Sequence, residues 1–303
     1  MIMMIEMQQV TMQFGSKVVL KKVSLKVQPG EIIGLVGANG AGKTTLINLI
    51  LGRLQPTSGQ ISVLQAAPSE KRHFNRIGAM LQDDSRIARL KVSEELTMVG
   101  QYYQQPLPVA TLLKMADLTE QANQMVNQLS GGQLRRMTFA LAMAGDPDLI
   151  FLDEPTVGMD VTSRQHFWQQ IDQLKQAGKT IILTSHYLEE IEKVATRILI
   201  LKDGQFQYDG DFQTLQQQYR SSQIQFKADQ SMANLQDWPE VLAYQEHAHR
   251  ISLQVTNSDV VLARLSPQIG QTIHQVQVQA GSLTDIYNEI MGADTDAIIN
   301  GSK

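Results

Sequence analysis

The chain has 303 residues, no cysteine and a formal net charge of -4 at pH 7, with 43% hydrophobic and 18% charged residues. This composition excludes a disordered chain, and the lack of cysteine excludes disulfides and cysteine-metal sites. The negative charge argues against a general nucleic-acid binder, and the sequence shows neither a membrane-spanning apolar run nor a secretion signal. We expect a protein of a reducing cytoplasm with one large domain and one smaller one.

The N-terminal segment predicts a β-hairpin. Residues 5–27 are rich in β-branched and apolar side chains and are interrupted at Phe14 to Lys17, so they predict two antiparallel strands joined by a turn. An exposed Phe14 could stack on an adenine ring, but strand periodicity alone favours a place in the core. Pro29 and Gly30 then turn the chain into the next strand.

Residues 37–45 carry a phosphate-binding pattern. Their sequence, Gly-Ala-Asn-Gly-Ala-Gly-Lys-Thr-Thr, matches GxxxxGK[ST] between an apolar run at 31–36 and a helical run at 46–51. The three glycines let successive backbone N–H groups point at phosphate oxygens beside a helix N-terminus. Lys43 is placed to reach the β- and γ-phosphates, and Thr44 is placed to ligate Mg²⁺. A glycine-rich turn that binds nothing is the alternative, and the register of Lys43 and Thr44 argues against it.

Beyond this loop the chain predicts further strands and then a helical insertion. A turn at 56–59 leads to a strand at 60–64, and a buried run at 77–81 ends at Gln82. A polar cluster directly after a buried strand lies where ligands bind in α/β folds. From 93 to 128 the apolar residues recur with helical spacing, which predicts a helical insertion outside the sheet.

Two more motifs follow this insertion. Residues 129–133, Leu-Ser-Gly-Gly-Gln, open a helix, and glycines beside a helix start offer an anion site. A buried strand at 149–152 ends in Asp153 and Glu154. One carboxylate could join the shell of a Mg²⁺ ion while the other polarises a water. A solvated acidic turn is an equal alternative when the pair is taken alone.

The remaining elements complete an alternating β/α series. We predict a helix at 163–177, a strand at 180–183, a helix at 187–194 and a strand at 197–201, which together indicate an α/β fold. A lone histidine after a strand is usually structural. His186, however, shares the predicted sheet edge with Lys43, Gln82 and Asp153, and this placement favours a role in the site.

The C-terminal segment, 222–303, predicts a small α+β domain. Strand-like runs at 224–226, 251–255 and 273–278 alternate with helical runs at 257–265 and 283–291. Residues 220–303 contain five Lys or Arg and nine Asp or Glu, so all the net negative charge lies there. This shift supports a domain boundary near Tyr219.

Together these motifs closely resemble the nucleotide-binding domain of ATP-binding cassette (ABC) transporters over residues 2 to about 218. The resemblance implies a P-loop NTPase core of the ABC type, with an antiparallel β subdomain, a helical subdomain at about 84–145 and a C-terminal α+β domain at 222–303. It also implies that Phe14 is the aromatic residue that stacks on adenine, which contradicts the place in the core that strand periodicity favours. The residues it assigns are the nucleotide contacts Phe14, Gly37, Asn39, Gly40, Ala41, Gly42, Lys43, Thr44, Thr45, Ser130, Gly131, Gly132, Gln133 and Asp160, the catalytic residues Glu154, His186 and Gln82, and the Mg²⁺ ligands Thr44, Gln82 and Asp153.

The resemblance implies an active site shared between two subunits. Each ATP would lie between the P-loop of one subunit and the signature, residues 129–133, of the other. Glu154 would act as general base toward the attacking water, His186 would contact the γ-phosphate, and Gln82 would sense Mg²⁺ and the membrane partner. The chain carries one P-loop and one signature, so we expect a homodimer or a heterodimer with a related cassette.

The resemblance also implies an integral membrane permease as a partner, and no nucleic acid. We expect the chain to be cytoplasmic and peripheral on the inner face of the cell membrane, with residues 82–105 lining the groove that receives a permease helix. The closing stretch 282–287, Ser-Leu-Thr-Asp-Ile-Tyr, looks like the end of cassettes that serve ABC-2-type exporters. This second resemblance favours export.

Three other functions share parts of the pattern. An importer ATPase has the same catalytic motifs, and a closed, all-β regulatory domain in the tail would favour it. A non-transport ABC-type ATPase usually carries two cassettes or a long coiled coil, and neither is visible here. A nucleotide-binding regulator that does not hydrolyse is opposed by Glu154 and His186.

Overall fold

The computed structural model describes residues 3–70, 73, 75–81, 89–219 and 222–292. The chain divides into two compact units, Met1–Asp209 and Gly210–Lys303.

A three-stranded antiparallel sheet begins the first unit and confirms the predicted hairpin. Its outer strands pair with the first strand in the order β2-β1-β4. Alternate residues of the first strand are buried, as expected when one face of a sheet packs on a core. The strands are β1 (Ile5–Phe14), β2 (Lys17–Val27) and β4 (Ser58–Val63).

The central sheet has six strands in the order β5-β6-β7-β3-β8-β9. Its first five strands pair in parallel. Several have near-continuous apolar sequences and are buried along almost their whole length, which is typical of a parallel sheet covered on both faces. The strands are β3 (Ile32–Gly37), β5 (Ile77–Met80), β6 (Leu149–Asp153), β7 (Thr180–Thr184), β8 (Arg197–Lys202) and β9 (Gln205–Gly210).

This strand order determines where a site can form. β6, β7 and β3 are neighbours and run in the same direction, so the residues that follow them meet at one edge of the sheet. Helix α1 (Lys43–Ile50) starts at this edge, directly after the loop that follows β3.

Helices dominate the segment between β5 and β6. The described residues from 89 to 148 form helices and turns and contribute no strand to either sheet, so the prediction of a helical insertion is confirmed. Two further helices flank β7. The helices are α2 (Val92–Gly100), α3 (Val109–Met115), α4 (Gly131–Met143), α5 (Val161–Gln176) and α6 (Leu188–Val194).

An ion-pair cluster around Arg197 holds the opposite, amino-terminal end of the sheet. Arg197 donates from Nε and Nη2 to Asp209 at 2.6 and 2.8 Å. Its Nη1 donates to Glu31 at 3.1 Å and to the carbonyl of Lys26 at 2.8 Å. Hydrogen bonding to Asp209 raises the pKa of Arg197. One guanidinium thus joins residues from β2, β8, β9 and the turn before β3.

The second unit is α+β, as predicted. Its four antiparallel strands have the order β11-β12-β10-β13 and bury a separate apolar core that includes Phe226, Leu253 and Leu265. The elements are α7 (Phe212–Tyr219), β10 (Ser222–Ala228), β11 (Val241–His247), β12 (Arg250–Val255), α8 (Ser258–Leu265), β13 (Ile273–Ala280) and α9 (Leu283–Met291).

Candidate active site

A cleft of about 390 Å³ opens where β3, β6 and β7 end. Its volume falls within the range of small-molecule sites. The lining is mostly polar, and it combines the loop after β3, the end of β6, the residue two positions beyond β7 and one edge of β2. The lining residues are Lys17, Val19, Asn39, Gly40, Gly42, Lys43, Thr44, Thr45, Asp153, Glu154 and His186.

The loop after β3 owes its shape to glycine. Gly40 and Gly42 have φ angles of 81° and 110°, which side chains of L-residues rarely adopt. A Cβ on Gly42 would lie 2.9 Å from Cδ2 of Leu20 and 3.3 Å from the carbonyl of Val19, so a larger residue would have to displace Leu20. Gly42 directly precedes α1, so the helix N-terminus, whose first N–H groups have no partner within a helix, adjoins this loop and favours an anion there.

Lys43 is folded back onto this loop. Its Nζ donates to the carbonyl oxygens of Gly37 at 2.6 Å and Ala38 at 3.2 Å. Burial lowers the pKa of Lys43, and the charges of Glu154 and Asp153 oppose that change. A partly desolvated cation beside exposed N–H groups suits a phosphate chain.

Asp153 and Glu154 are both buried, with exposed fractions of 3% and 5%, and share one partner on the neighbouring strand. The hydroxyl of Thr184 donates to Oδ1 of Asp153 at 2.5 Å. The same hydroxyl oxygen accepts the backbone N–H of Glu154 at 3.0 Å. The alternative of a solvated acidic turn is therefore wrong, because both carboxylates are enclosed.

His186 contacts the carboxylate of Glu154. Its backbone N–H donates to Oε2 at 3.0 Å, and its Nε2 lies 3.4 Å from Oε1. Burial raises the pKa of Glu154, while the hydrogen bond and charge of His186 oppose the rise. A carboxylate whose pKa is raised holds a proton more readily, and this is the property that a general base needs.

The signature and the residues around Asp160 are not among the residues that line the cleft. Ser130 caps α4: its Oγ accepts the N–H of Gln133 at 3.2 Å, and its N–H donates to Oε1 of Gln133 at 2.9 Å. Gly132 packs on the loop before α5, where an added Cβ would lie 3.1 Å from the carbonyl of Gly158. Within one chain, the signature therefore adjoins this loop and not the phosphate-binding loop.

Asp160 caps α5 in a similar way. Its carboxylate accepts the N–H of Ser163 at 2.8 Å and the hydroxyl of Ser163 at 3.0 Å. These hydrogen bonds lower the pKa of Asp160. The arrangement keeps an ionised carboxylate at the positive end of a helix.

Four other positions were predicted to contact the nucleotide or Mg²⁺. Phe14 is 47% exposed at the end of β1, so the core interpretation from periodicity is wrong. Ala41 is buried within the loop, and Gly37 contributes through its carbonyl. Gln82 lies outside the described residues.

Some residues of the site were not predicted. Thr184 ends β7, and the rule that ligands bind at strand ends is a signal that could have found it. Lys17 and Val19 belong to β2, and no motif marks them. Arg135 donates to the carbonyl of Glu154 at 2.8 Å, and only the structure shows that contact.

A glycine-rich loop between a strand and a helix, with its lysine near two buried carboxylates, defines the site of a P-loop NTPase. The sequence family described as ABC transporter matches residues 20–157. The Nod factor export ATP-binding protein I of Burkholderia thailandensis is 38% identical over 218 residues, covering 70% of this chain and 72% of the relative. The chain belongs to the ABC transporter family of ATP-binding proteins.

Two further relatives agree with this membership. The protein of the same name from Burkholderia lata is 39% identical over 207 residues, covering 66% of this chain and 68% of its own. A solved structure, "Dimeric structure of a post-hydrolysis state of the ATP-binding cassette MJ0796 bound to ADP and Pi", is 28% identical with a TM-score of 0.62. It covers 69% of this chain and 98% of that cassette. The chain is thus an ATP-binding subunit of an ABC transporter and an ATPase.

Proposed function

We propose that the chain hydrolyses ATP as a dimer in which each nucleotide lies between the P-loop of one subunit and the signature of the other, and that it drives a separate membrane permease. One observation carries the proposal: Lys43, Glu154 and His186 line one cleft, while Ser130 to Gln133 do not line it. A partner is then needed to complete the site. The dimeric MJ0796 cassette supports this arrangement. Either a homodimer or a heterodimer satisfies it.

Each group in or beside the cleft has a distinct task. Phe14 stacks on the adenine ring, and the loop from Gly37 to Thr45, including Asn39, Gly40, Ala41 and Gly42, surrounds the phosphates. Lys43 neutralises charge on the β- and γ-phosphates. Glu154 accepts a proton from the attacking water, and His186 contacts the γ-phosphate. Catalysis then rests on positioning and charge neutralisation, in which covalent chemistry of the protein has no part.

The partner subunit would close the cleft. Ser130, Gly131, Gly132 and Gln133 of that subunit contact the γ-phosphate, and Asp160 belongs to the loop that adjoins them. The signature begins a helix of 13 residues, so the N–H groups and the dipole at that helix N-terminus favour an anion.

The donor set also fits Mg²⁺. Thr44 and Asp153 both line the cleft and supply the hydroxyl and carboxylate oxygens that this hard cation prefers. We propose that these two residues hold it, together with Gln82 from outside the described residues. When bound, the ion neutralises negative charge on the β- and γ-phosphate oxygens.

A membrane partner follows from the family. Among the residues with described positions, no helix has the length and apolar character needed to cross a bilayer. We propose that the cassette, predicted from the sequence at residues 2–218 with a helical subdomain at about 84–145 and forming a compact unit over Met1–Asp209, docks on a permease at the inner face of the membrane. The second unit, Gly210–Lys303, contains the predicted accessory domain at 222–303.

Export is the direction we propose. Both Burkholderia relatives are named Nod factor export ATP-binding protein I. The importer alternative is favoured by a closed, all-β tail, whereas the second unit combines a four-stranded open sheet with α7, α8 and α9. The fold of the tail therefore supports an exporter.

Replacing the proposed base tests the mechanism. Glu154→Gln keeps the shape of the side chain but removes its proton affinity, so the kcat for ATP should fall by about 10²- to 10⁴-fold while ATP affinity persists. Gel filtration with ATP should then show more dimer than for the unaltered protein, because the nucleotide is no longer consumed. Steady-state phosphate release and calorimetric ATP binding measure the two effects.

Glu189→Gln is the matched control, since Glu189 is an exposed glutamate of α6 three residues beyond His186. Its kcat should equal that of the unaltered protein. A Glu154→Gln protein that turns over at the normal rate would contradict the assigned role of Glu154.

A further inference from the structure

Arg135 lies near the start of α4, two residues beyond the signature, and its guanidinium reaches the catalytic edge of the sheet. Nη2 donates to the carbonyl oxygens of Asp153 and Glu154, the latter at 2.8 Å. Nη1 donates to the carbonyl of Leu81 at 3.3 Å, directly after β5. One side chain therefore binds the carboxyl ends of two adjacent strands, β5 and β6.

The backbone at Glu154 is the part of this edge that most needs support. Its φ angle is 53°, a left-handed conformation that residues other than glycine rarely adopt. The N–H of Glu154 is held by Thr184, and its carboxylate accepts the N–H of His186. Both of these partners belong to the end of β7 and the residues that follow it. The carbonyl of Glu154 accepts from Nη2 of Arg135, on a different element, at 2.8 Å and from the backbone N–H of Val157, in the following turn, at 3.4 Å.

We propose that Arg135 is a positioning residue that fixes the direction of the Glu154 carboxylate. The inference rests on the proposed role of Glu154 as general base. A planar guanidinium can direct several N–H groups at once toward carbonyls in fixed directions, whereas a lysine ammonium is a compact point charge on a flexible stem. Removing the guanidinium leaves the carbonyl of Glu154 with the longer hydrogen bond from the N–H of Val157, so the peptide is held less firmly and the carboxylate loses its fixed direction toward the attacking water.

The arrangement also links two functional segments of one chain. Ser130 begins α4 as its cap, and Arg135 follows on the same short stretch of helix. The signature and the backbone of Glu154 are therefore joined through one rigid element and one side chain. In sequence the two segments are separated by a buried strand and the end of a helix, so the link is not visible from the motifs.

Arg135→Lys and Arg135→Gln test the proposal. We expect kcat for ATP to fall by at least about tenfold in both, because a small displacement of a catalytic group is costly. The dissociation constant for ATP, measured by calorimetry, should change by less than about twofold, because Arg135 is not among the cleft-lining residues. Lysine should retain more activity than glutamine, since it keeps one charged donor.

Arg76→Lys is the matched control. Arg76 pairs with Asp148 at 2.6 Å beside the amino end of β6, the strand whose other end Arg135 holds. The same exchange at that end should leave kcat unchanged. If Arg76→Lys lowers kcat as much as Arg135→Lys does, the effect comes from a weakened strand and the proposal is overturned.

A double variant separates positioning from general damage. If Arg135 acts through Glu154, then Arg135→Lys should change the residual single-turnover rate of Glu154→Gln by less than about twofold. The same fold-loss in both backgrounds would show independent effects and would overturn the proposal. Thermal melting shows whether a variant fails to fold. If Arg135→Gln does not fold, the kcat of Arg135→Lys decides the test.

Failure of the inference differs from failure of the proposed function. If Glu154→Gln turns over ATP at the normal rate, Glu154 is not the general base, and the inference about Arg135 fails together with the proposed function. Loss of turnover in Glu154→Gln together with a normal kcat in Arg135→Lys leaves the proposed function intact and overturns only the role of Arg135.

Discussion

Gly42 combines two constraints that usually occur at separate positions. Its φ of 110° lies beyond the left-handed region that alanine tolerates, and an added Cβ would press on Leu20 and on the carbonyl of Val19, 3.3 Å away. The residue also directly precedes α1, so any shift of Gly42 moves the N–H groups at the start of that helix, which we propose bind phosphate. The backbone conformation of Gly42 therefore also determines where the N–H groups of the loop and of α1 lie.

Gly42→Ala should weaken ATP binding by at least about tenfold, or about 1.4 kcal/mol. The backbone must leave its present conformation to accept a Cβ, and the N–H groups then lose their common target. Calorimetric titration with ATP measures the change.

Gly178→Ala provides the comparison, because Gly178 also has a positive φ, 74°, but no atom lies within 4 Å of an added Cβ. It should cost about 1–2 kcal/mol of folding free energy and leave ATP affinity unchanged. Equal ATP affinity in the two variants would contradict the link between loop shape and binding.

Sequence motifs predict most of the cleft residues, for a physical reason. Asp153, Glu154 and His186 lie at or just beyond the ends of buried strands, and Lys43 closes the loop that follows another. Neighbouring parallel strands bring such residues together. Lys17 and Val19 come from the other sheet, and their place in the cleft depends on how the two sheets pack. Strand periodicity wrongly predicted that Phe14 lies in the core. The pattern describes the alternation along one strand, and it does not show which other elements cover the end of that strand.

Helix α4 packs closely against β5, and a glycine makes the contact possible. A Cβ on Gly78 would lie 2.2 Å from the carbonyl of Ala142 and 2.8 Å from Cγ of Pro147. The end of α4 thus rests on the backbone of β5. Because the same helix carries Arg135, the spacing between these elements also sets the position of the catalytic edge.

Gly78→Ala should lower the free energy of unfolding by about 1–3 kcal/mol, the usual cost of overpacking. Urea titration followed by circular dichroism measures it.

Gly100→Ala is the comparison within the helical segment, because its nearest contact would be an ordinary 3.5 Å to Cβ of Pro106. A change within about 0.5 kcal/mol is expected there. Equal destabilisation by the two exchanges would show that packing of α4 on β5 is not the cause.

Strongly apolar elements were predictable, and weakly patterned ones were not. β3, β6, β7 and β8 are continuous apolar runs that only a buried sheet explains. α7 was missed because half of its residues are glutamine, which leaves little apolar periodicity. It did carry a start signal, since Asp211 accepts the N–H and hydroxyl of Thr214 at 2.8 and 2.7 Å. β11 has a mixed, half-exposed sequence, and only its pairing with β12 makes it a strand.

The division into two units gives a rule for shortening the chain. α7 belongs to the second unit, where it packs against α9, and its Leu215 is fully buried. Every residue that lines the cleft lies between Lys17 and His186. A fragment that ends before α7 should therefore keep the nucleotide site.

We expect fragment 1–210 to bind ATP like the full chain and to remain monodisperse in gel filtration. Fragment 1–221 keeps α7 but loses α9, so it exposes Leu215 and should aggregate at a lower temperature. Thermal melting with light scattering compares the two. Identical aggregation temperatures would contradict the assignment of α7 to the second unit.

The Arg197 cluster fastens the sheet at its amino-terminal end, while the nucleotide cleft opens at its carboxyl-terminal end. Substitutions among Arg197, Asp209 and Glu31 can therefore alter heat tolerance without touching a residue that meets ATP. Thermal stability and the rate of ATP turnover depend on different sets of residues, so selection can change one property without changing the other.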